Sequence, residues 1–365
     1  SEQKRASFGG KLSVILVAAG SAIGLGALWR FPYIAGENGG AAFLLVFLLS
    51  VLAVGIPAML AEFAVGRRTR KNAVGAFRTL SRRWSWLGYS GVIGALLISG
   101  YYYLIAGWSL EYFVNSVTAG MYESTETFTR QFESFRLSWR PMMYCALFIL
   151  MTHFIVSRGV EKGIERASKI MMPVLIILTI FIAGYSMFMP GALEGVKFYL
   201  MPDFSKFSAT TVLAAMGQLF YSMSLAMGIM ITYGSYMKKS VSISSSVKQI
   251  AAFDTGIAFF AGLMIIPAIF SFYGGDAAAL DENLSKGPGL MFVMLPKVFE
   301  SMPAGNVIGA LFFLLVLFAA LTSSISLMET VVSIFMDKLK LERKPTCLIV
   351  LGISLILGIP SSLGN

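Results

Sequence analysis

Asp254 lies within the apolar run Ile250 to Phe272. An ionisable side chain there is costly and marks either a functional site or a hydrogen-bonded structural carboxylate. Two other apolar runs are interrupted by glycine and small polar residues, GSAIGLGALWRFP at Gly20 to Pro32 and SMSLAMG at Ser222 to Gly228. A helix that breaks in mid-membrane exposes amide donors and carbonyl acceptors, so it can hold an anion and a cation without charged side chains. Glycine in one such run also suits close helix packing, but two breaks at matched positions favour a binding site. Thr322 and Ser323 offer hydroxyl oxygens of the kind a hard cation takes, with interhelical packing as the other reading. Tyr101, Tyr102 and Tyr103 stand in mid-run, where a buried hydroxyl needs a partner and an interfacial aromatic belt is less expected. The one histidine, His153, stands apart from any serine or cysteine partner, and no metal-ligand spacing is present. These residue types describe binding rather than catalysis.

They are carried by a chain of 365 residues that is 56% hydrophobic and only 13% charged, far from the balance of a soluble domain. Apolar runs long enough to cross a bilayer recur at Lys11 to Ala35, Ala41 to Gly66, Leu87 to Val117, Pro141 to Val156, Ile170 to Met189, Val212 to Tyr236, Ile250 to Phe272, Val307 to Met336 and Thr346 to Ile359. These nine candidate spans are too long for barrel strands, and backbone groups in hydrocarbon need internal partners, so an all-α integral membrane protein is predicted. The breaks fall in spans 1 and 6. That separation of five is expected if spans 1 to 5 and 6 to 10 are inverted repeats meeting at their broken helices. A single membrane domain over 1–365 follows, with a first repeat over about 10–190 and a second over about 205–365. The longer connections, Thr118 to Arg140 and Tyr273 to Pro303, fall on the outer side.

The net charge of +10 points away from nucleic acid once the basic residues are placed. With the N-terminus inside, the cytoplasmic segments hold 21 of the 29 Lys and Arg, including Arg67, Arg68, Arg70, Lys71, Arg78, Arg82 and Arg83. This asymmetry predicts a multi-pass protein of the cell inner (plasma) membrane with a cytoplasmic N-terminus. Cys145 and Cys347 both lie in apolar runs, so no disulfide framework is indicated. Span 1 is interrupted by Gly24, Gly26 and Arg30, unlike the core of a signal peptide.

With GSAIGLGALWRFPYIAGENGG at Gly20 to Gly40, the chain resembles the neurotransmitter:sodium symporter family, in particular its bacterial, leucine-transporter-like amino-acid carriers. The resemblance continues through IPAMLAEFAVGR (Ile56 to Arg67), SGYYYLIAGW (Ser99 to Trp108), KGIERASKIMMP (Lys162 to Pro173), GQLFYSMSLAMG (Gly217 to Gly228) and LTSSISLM (Leu321 to Met328), and so spans essentially the whole chain. It implies the inverted-repeat transporter fold with helices 1 and 6 broken. Family members usually have eleven or twelve helices, so the second repeat is expected to be incomplete here, with span 10 absent.

The resemblance implies a substrate carboxylate met by freed amides at Gly24, Leu25 and Gly26 and by the Tyr102 hydroxyl, with the amino group held by carbonyls near Ala22 and Tyr221. Around the substrate side chain the family pattern places Ile98, Tyr221, Ser224, Ala226, Met227, Ser323 and Leu327. These residues are uncharged, which suits a neutral hydrophobic L-amino acid. Ala226, where glycine would leave more room, argues for an aliphatic substrate over a bulky aromatic one. One sodium site would use the carbonyls of Gly20, Ile23 and Ala319 with the hydroxyls of Thr322 and Ser323. The other would use Ala22, Ser222 and Asp254. There this chain has Ala27 where the family commonly has asparagine, and aspartate at 254 where many relatives carry asparagine.

Asp254 is expected either to supply a fixed negative charge that makes chloride unnecessary or to titrate and couple proton movement. Chloride-dependent relatives use a tyrosine and serines where this chain has Phe47 and Ala258. The resemblance also implies gates. Arg30, just outside the break, would pair with an aspartate on span 10, and Tyr221 would form an aromatic lid above the substrate. On the inner side Arg5 would pair with Asp337, beside Phe8 and Tyr236. Glu62 is expected to join a hydrogen-bond network around a break. The expected cargo is one or two sodium ions and an amino acid, with no organic cofactor. The lipid bilayer is the expected partner, nucleic acid is not, and a homodimer is compatible with the sequence. A nontransporting sodium-dependent amino-acid sensor on the same fold is the alternative reading.

Overall fold

A computed structural model describes residues 5–118, 127–274 and 287–363. Parts of the two longer connections, at 119–126 and 275–286, lie outside the described residues. Glycine and proline divide the apolar runs into helices in chain order: α1 Lys11–Ala22, α2 Gly26–Glu37, α3 Ala41–Thr69, α4 Ala73–Leu80 and α5 Arg82–Val117. There follow α6 Phe128–Arg136, α7 Arg140–Ser157, α8 Val160–Met187, α9 Ala192–Leu200 and α10 Ala209–Ser222. The remainder are α11 Ile229–Tyr236, α12 Ile243–Phe272, α13 Leu295–Glu300, α14 Gly305–Leu339 and α15 Arg343–Leu363.

Seven of these, α3, α5, α7, α8, α12, α14 and α15, are long and apolar enough to cross a membrane. The pair α1 and α2 forms an eighth span bent by 54° at its break. These eight account for all but one of the nine runs expected from the sequence, and the ninth is span 6, broken as expected. The run Val212 to Tyr236 is built as α10 and α11, separated by residues 223–228, and neither half is long enough to cross alone. Its break is wider than the one in span 1 because three residues within it take left-handed conformations.

The core sits where α1, α11 and α14 meet. The most apolar stretch of α14 is 78% buried, against 28% for α15, so α14 runs through the middle and α15 along the outside. Small residues permit the closest approaches. A Cβ on Gly234 would lie 2.6 Å from the Phe63 carbonyl oxygen, and one on Gly66 would overlap the carbonyl of Ile231, so α3 and the half-helix α11 are in backbone contact. Asn72 caps α4, its side chain accepting from the Gly75 amide at 2.9 Å. Cys145 and Cys347 are both buried and unpaired.

Candidate functional site

At the first break α1 ends at Ala22, and Ile23 leaves helical geometry with φ −80° and ψ 79°. Gly24 donates to the Ala22 carbonyl at 3.0 Å, and the Leu25 amide donates to the Tyr102 hydroxyl at 3.3 Å. The Tyr102 oxygen thus accepts from the break and keeps its own proton to donate. Glycine is required here by space. A Cβ on Gly24 would overlap the Ser323 hydroxyl and lie 2.9 Å from the Tyr102 hydroxyl, and one on Gly26 would lie 2.6 Å from the Tyr221 ring.

The second break is strained. Ser224, Ala226 and Gly228 have φ of 53°, 62° and 75°, a region that costs a non-glycine residue about 1–2 kcal/mol. Side chains hold it in place: Ser224 donates to the Ser21 carbonyl at 3.1 Å, and the Ala226 amide donates to Glu62 Oε1 at 2.7 Å. Replacing Ala226 by glycine removes the left-handed penalty. The variant should therefore melt higher than the parent, by about 1 kcal/mol in a thermal-unfolding series.

Between the breaks is a cavity. Ala22, Gly24, Gly26 and Tyr102 line it. Ile98, Tyr221, Met227 and Leu327 give it apolar walls, and Ser224 and Ser323 complete it. Two residues proposed from the sequence stand apart from this lining. Leu25 is buried and contributes its amide, whereas Ala226 is exposed. The idea that Ala226 narrows the pocket against aromatic substrates therefore loses its footing, because the left-handed turn carries residue 226 away from the cavity. Ser21 and Ile229 line it as well. Neither was evident from sequence, since a serine among small residues and an isoleucine just after a break carry no distinctive signal.

The oxygens suited to a cation fall into two groups. In the first, the Ser323 hydroxyl lies 3.3 Å from the Gly20 carbonyl and 2.9 Å from that of Ser21, and the Thr322 hydroxyl lies 3.1 Å from the Ala319 carbonyl. Gly20 is pressed against Thr322, where a Cβ would sit 3.1 Å from the threonine Cβ. In the second, Asp254 is completely buried and, among the described residues, accepts from Ser222, at 2.9 and 3.2 Å. One neutral hydroxyl leaves a buried carboxylate largely uncompensated, so this donor set fits a monovalent cation. Ala27 is buried as well and offers no side-chain oxygen.

The residues expected as gates form two separate clusters of contacts. In one, Arg30 donates to Gln218 Oε1 at 2.7 Å, and Gln218 Nε2 donates to the Gly26 carbonyl at 2.9 Å. The Arg30 guanidinium lies 5.2 Å from the Tyr221 ring centroid, and the Tyr101 hydroxyl donates to that of Tyr221 at 2.8 Å. Arg30 thus has a partner within the described residues that the sequence did not suggest. In the other, Arg5 bridges both carboxylate oxygens of Asp337 at 2.9 and 2.7 Å, donates to Ser235 and lies 5.0 Å from the Tyr236 ring centroid. Phe8 meets Tyr236 edge to face. Behind it, Tyr236 donates to Glu329 at 2.6 Å, and the fully buried Glu329 pairs with Arg343. Glu329 and Arg343 also went unnoticed in the sequence, because charges near the end of a run read as ordinary boundary residues.

Residues 5–131 and 128–362 match the sodium:neurotransmitter symporter family. An uncharacterized sodium-dependent transporter of Haemophilus influenzae is 35% identical over 378 residues, covering 100% of this chain and 81% of the relative. The uncharacterized sodium-dependent transporter YhdH of Bacillus subtilis is 39% identical over 339 residues, covering 91% and 73%. Among solved structures, that of MhsT in complex with L-phenylalanine superposes with a TM-score of 0.90 at 43% identity, covering 99% of this chain and 81% of that one.

Proposed function

The chain belongs to the sodium:neurotransmitter symporter family and is a sodium-dependent transporter rather than an enzyme, and from that membership we propose that it imports a neutral hydrophobic L-amino acid by sodium symport. The observation that carries this reading is the cavity between the two breaks. It presents the Tyr102 hydroxyl and the backbone of Gly24 to Gly26, while the walls are uncharged. An α-carboxylate is matched by the first group, and a charged side chain would find no counter-ion along the walls. The L-phenylalanine held by MhsT supports including aromatic substrates in this range.

In this reading sodium is cargo, held by Gly20, Ile23, Ala319, Thr322 and Ser323 at one site and by Ala22, Ser222 and Asp254 at the other. Spans 1, 2, 6 and 7 would rock against the rest around them, two spans from each of the repeats over about 10–190 and 205–365. Chloride is not required. Phe47 is fully buried with its ring centroid 4.9 Å from that of Phe31, and Ala258 is fully buried, so neither position offers a side-chain donor to an anion. The N-terminus and the Arg5 closure face the cytoplasm, following the basic residues.

A scintillation-proximity screen of neutral amino acids, with sodium and with potassium, tests the proposal directly. Sodium-dependent binding followed by accumulation in proteoliposomes is expected, equal in chloride and gluconate. Absence of sodium-dependent binding would sink it, and binding without accumulation would turn the reading to a sensor. Tyr102→Phe leaves the Leu25 amide unpaired and removes a donor to the carboxylate, so substrate affinity should fall roughly 10- to 100-fold. Arg5→Ala should release the inner closure by about 2 kcal/mol, a near thirtyfold shift between states. Uptake would drop accordingly, with partial recovery in the charge-swapped pair Arg5→Asp with Asp337→Arg.

A further inference from the structure

We propose that the acid-free segment joining α3 to α5 docks an anionic phospholipid headgroup of the cytoplasmic leaflet, and that this contact steadies the inner closure through Asn72. No Asp or Glu occurs from 63 to 110, whereas Arg67, Arg68, Arg70, Lys71, Arg78, Arg82 and Arg83 all do. Three of the seven are used internally: Arg67 and Arg70 donate to the carbonyls of Val241 and Met237, and Lys71 to Thr79. Arg68, Arg78, Arg82 and Arg83 are exposed, and among the described residues none of them has an acidic partner.

Apolar side chains stand beside these arginines. Trp84 and Trp86 are 49% and 56% exposed with ring centroids 6.3 Å apart, and Tyr89 is exposed with the Lys338 ammonium 5.5 Å from its ring centroid. Indoles flanked by arginines at the ends of two spans have the composition of a headgroup-level belt. Guanidinium groups recognise phosphate bidentately. A phospholipid supplies both halves of the match, a phosphate for the arginines and acyl chains below it for the rings. Among the described residues, the carboxylate that meets this segment is that of Asp337, and it is already held by Arg5 and by Asn72.

The same segment reaches the transport machinery. Asn72 caps α4 and donates to Asp337 Oδ2 at 2.6 Å, so one residue serves both the helix and the inner ion pair. Ala73 abuts the foot of the second break, where a Cβ on Gly228 would lie 2.8 Å from the Ala73 Cβ. On its other side α4 lies against α5, where a Cβ on Gly88 would lie 2.6 Å from the Val74 Cα. A headgroup that fixes Arg78, Arg82 and Arg83 therefore fixes the element that orients Asn72.

The full chain in nanodiscs, titrated with brominated phosphatidylglycerol or brominated phosphatidylcholine, reads the contact through tryptophan quenching. Half-maximal quenching is expected at about a tenfold lower mole fraction of the anionic lipid. Trp84→Phe with Trp86→Phe identifies the part of the signal that comes from this patch. The triple variant Arg78→Gln, Arg82→Gln, Arg83→Gln should lose the preference while binding substrate in detergent as the parent does, which shows that it is folded. Uptake by the parent should rise as phosphatidylglycerol replaces phosphatidylcholine, and uptake by the triple variant should not. A preference that survives in the triple variant, or that persists undiminished without the two indoles, overturns the site. A preference in the parent without any response of uptake overturns the link through Asn72.

Discussion

Replacing Asp254 by asparagine is expected to weaken sodium-dependent substrate binding by about a hundredfold in sodium concentration, because a cation there loses the one charge facing it. The carboxylate is wholly enclosed, and its partner among the described residues is the Ser222 hydroxyl. A buried charge left without compensation costs about 3–5 kcal/mol, so Asp254 and a cation each make the other affordable in the interior. Asparagine keeps the size of the side chain and its contact with Ser222, which separates loss of charge from loss of shape. The measurement is a sodium titration of amino-acid binding at fixed substrate concentration. A midpoint within threefold of the parent would show that Asp254 is a structural carboxylate and that sodium binds elsewhere. A midpoint that moves with pH in the parent, with protons competing against sodium, would instead favour proton coupling at this residue.

Gly24→Ala should abolish high-affinity substrate binding while leaving the protein folded. The added methyl overlaps the Ser323 hydroxyl and crowds that of Tyr102. Ser323 in turn reaches the carbonyls of Gly20 and Ser21. One methyl therefore disturbs the proposed carboxylate contacts and one of the cation groups together. Overpacking of this kind costs about 1–3 kcal/mol, and a loss of roughly 100-fold in affinity is expected because both ligands are displaced. A dissociation constant within threefold of the parent, in a variant with unchanged size-exclusion behaviour, would show that the break is not where the substrate sits.

Much of this site was legible in the sequence because membrane helices advertise their exceptions. Glycines at 24 and 26, a lone aspartate at 254 and small residues from 222 to 228 each contradict an otherwise apolar run, and the structure places them around one cavity or beside it. Contacts between distant polar residues were harder to read. Gln218 looks like any tolerated polar residue until Arg30 and the Gly26 carbonyl are seen on either side of it. Short amphipathic helices such as α4 and α9 escaped because a search for spans looks for length. The exposure of Ala226 was invisible as well, since direction within a broken helix depends on left-handed φ angles that alanine itself does not suggest.

The contacts around the first break have a consequence for how the chain is made. The Ser323 hydroxyl that reaches the Ser21 carbonyl is 302 residues further along, and the carboxylate that holds Arg5 is 332 residues away. At about 5–20 residues per second, α1 waits roughly 15–60 s in the bilayer before α14 is synthesised. During that interval its broken end lacks the partner that later covers it. Assembly of the site therefore waits for α14, and chains arrested before α14 should present α1 to quality-control proteases, whereas those arrested after it should not.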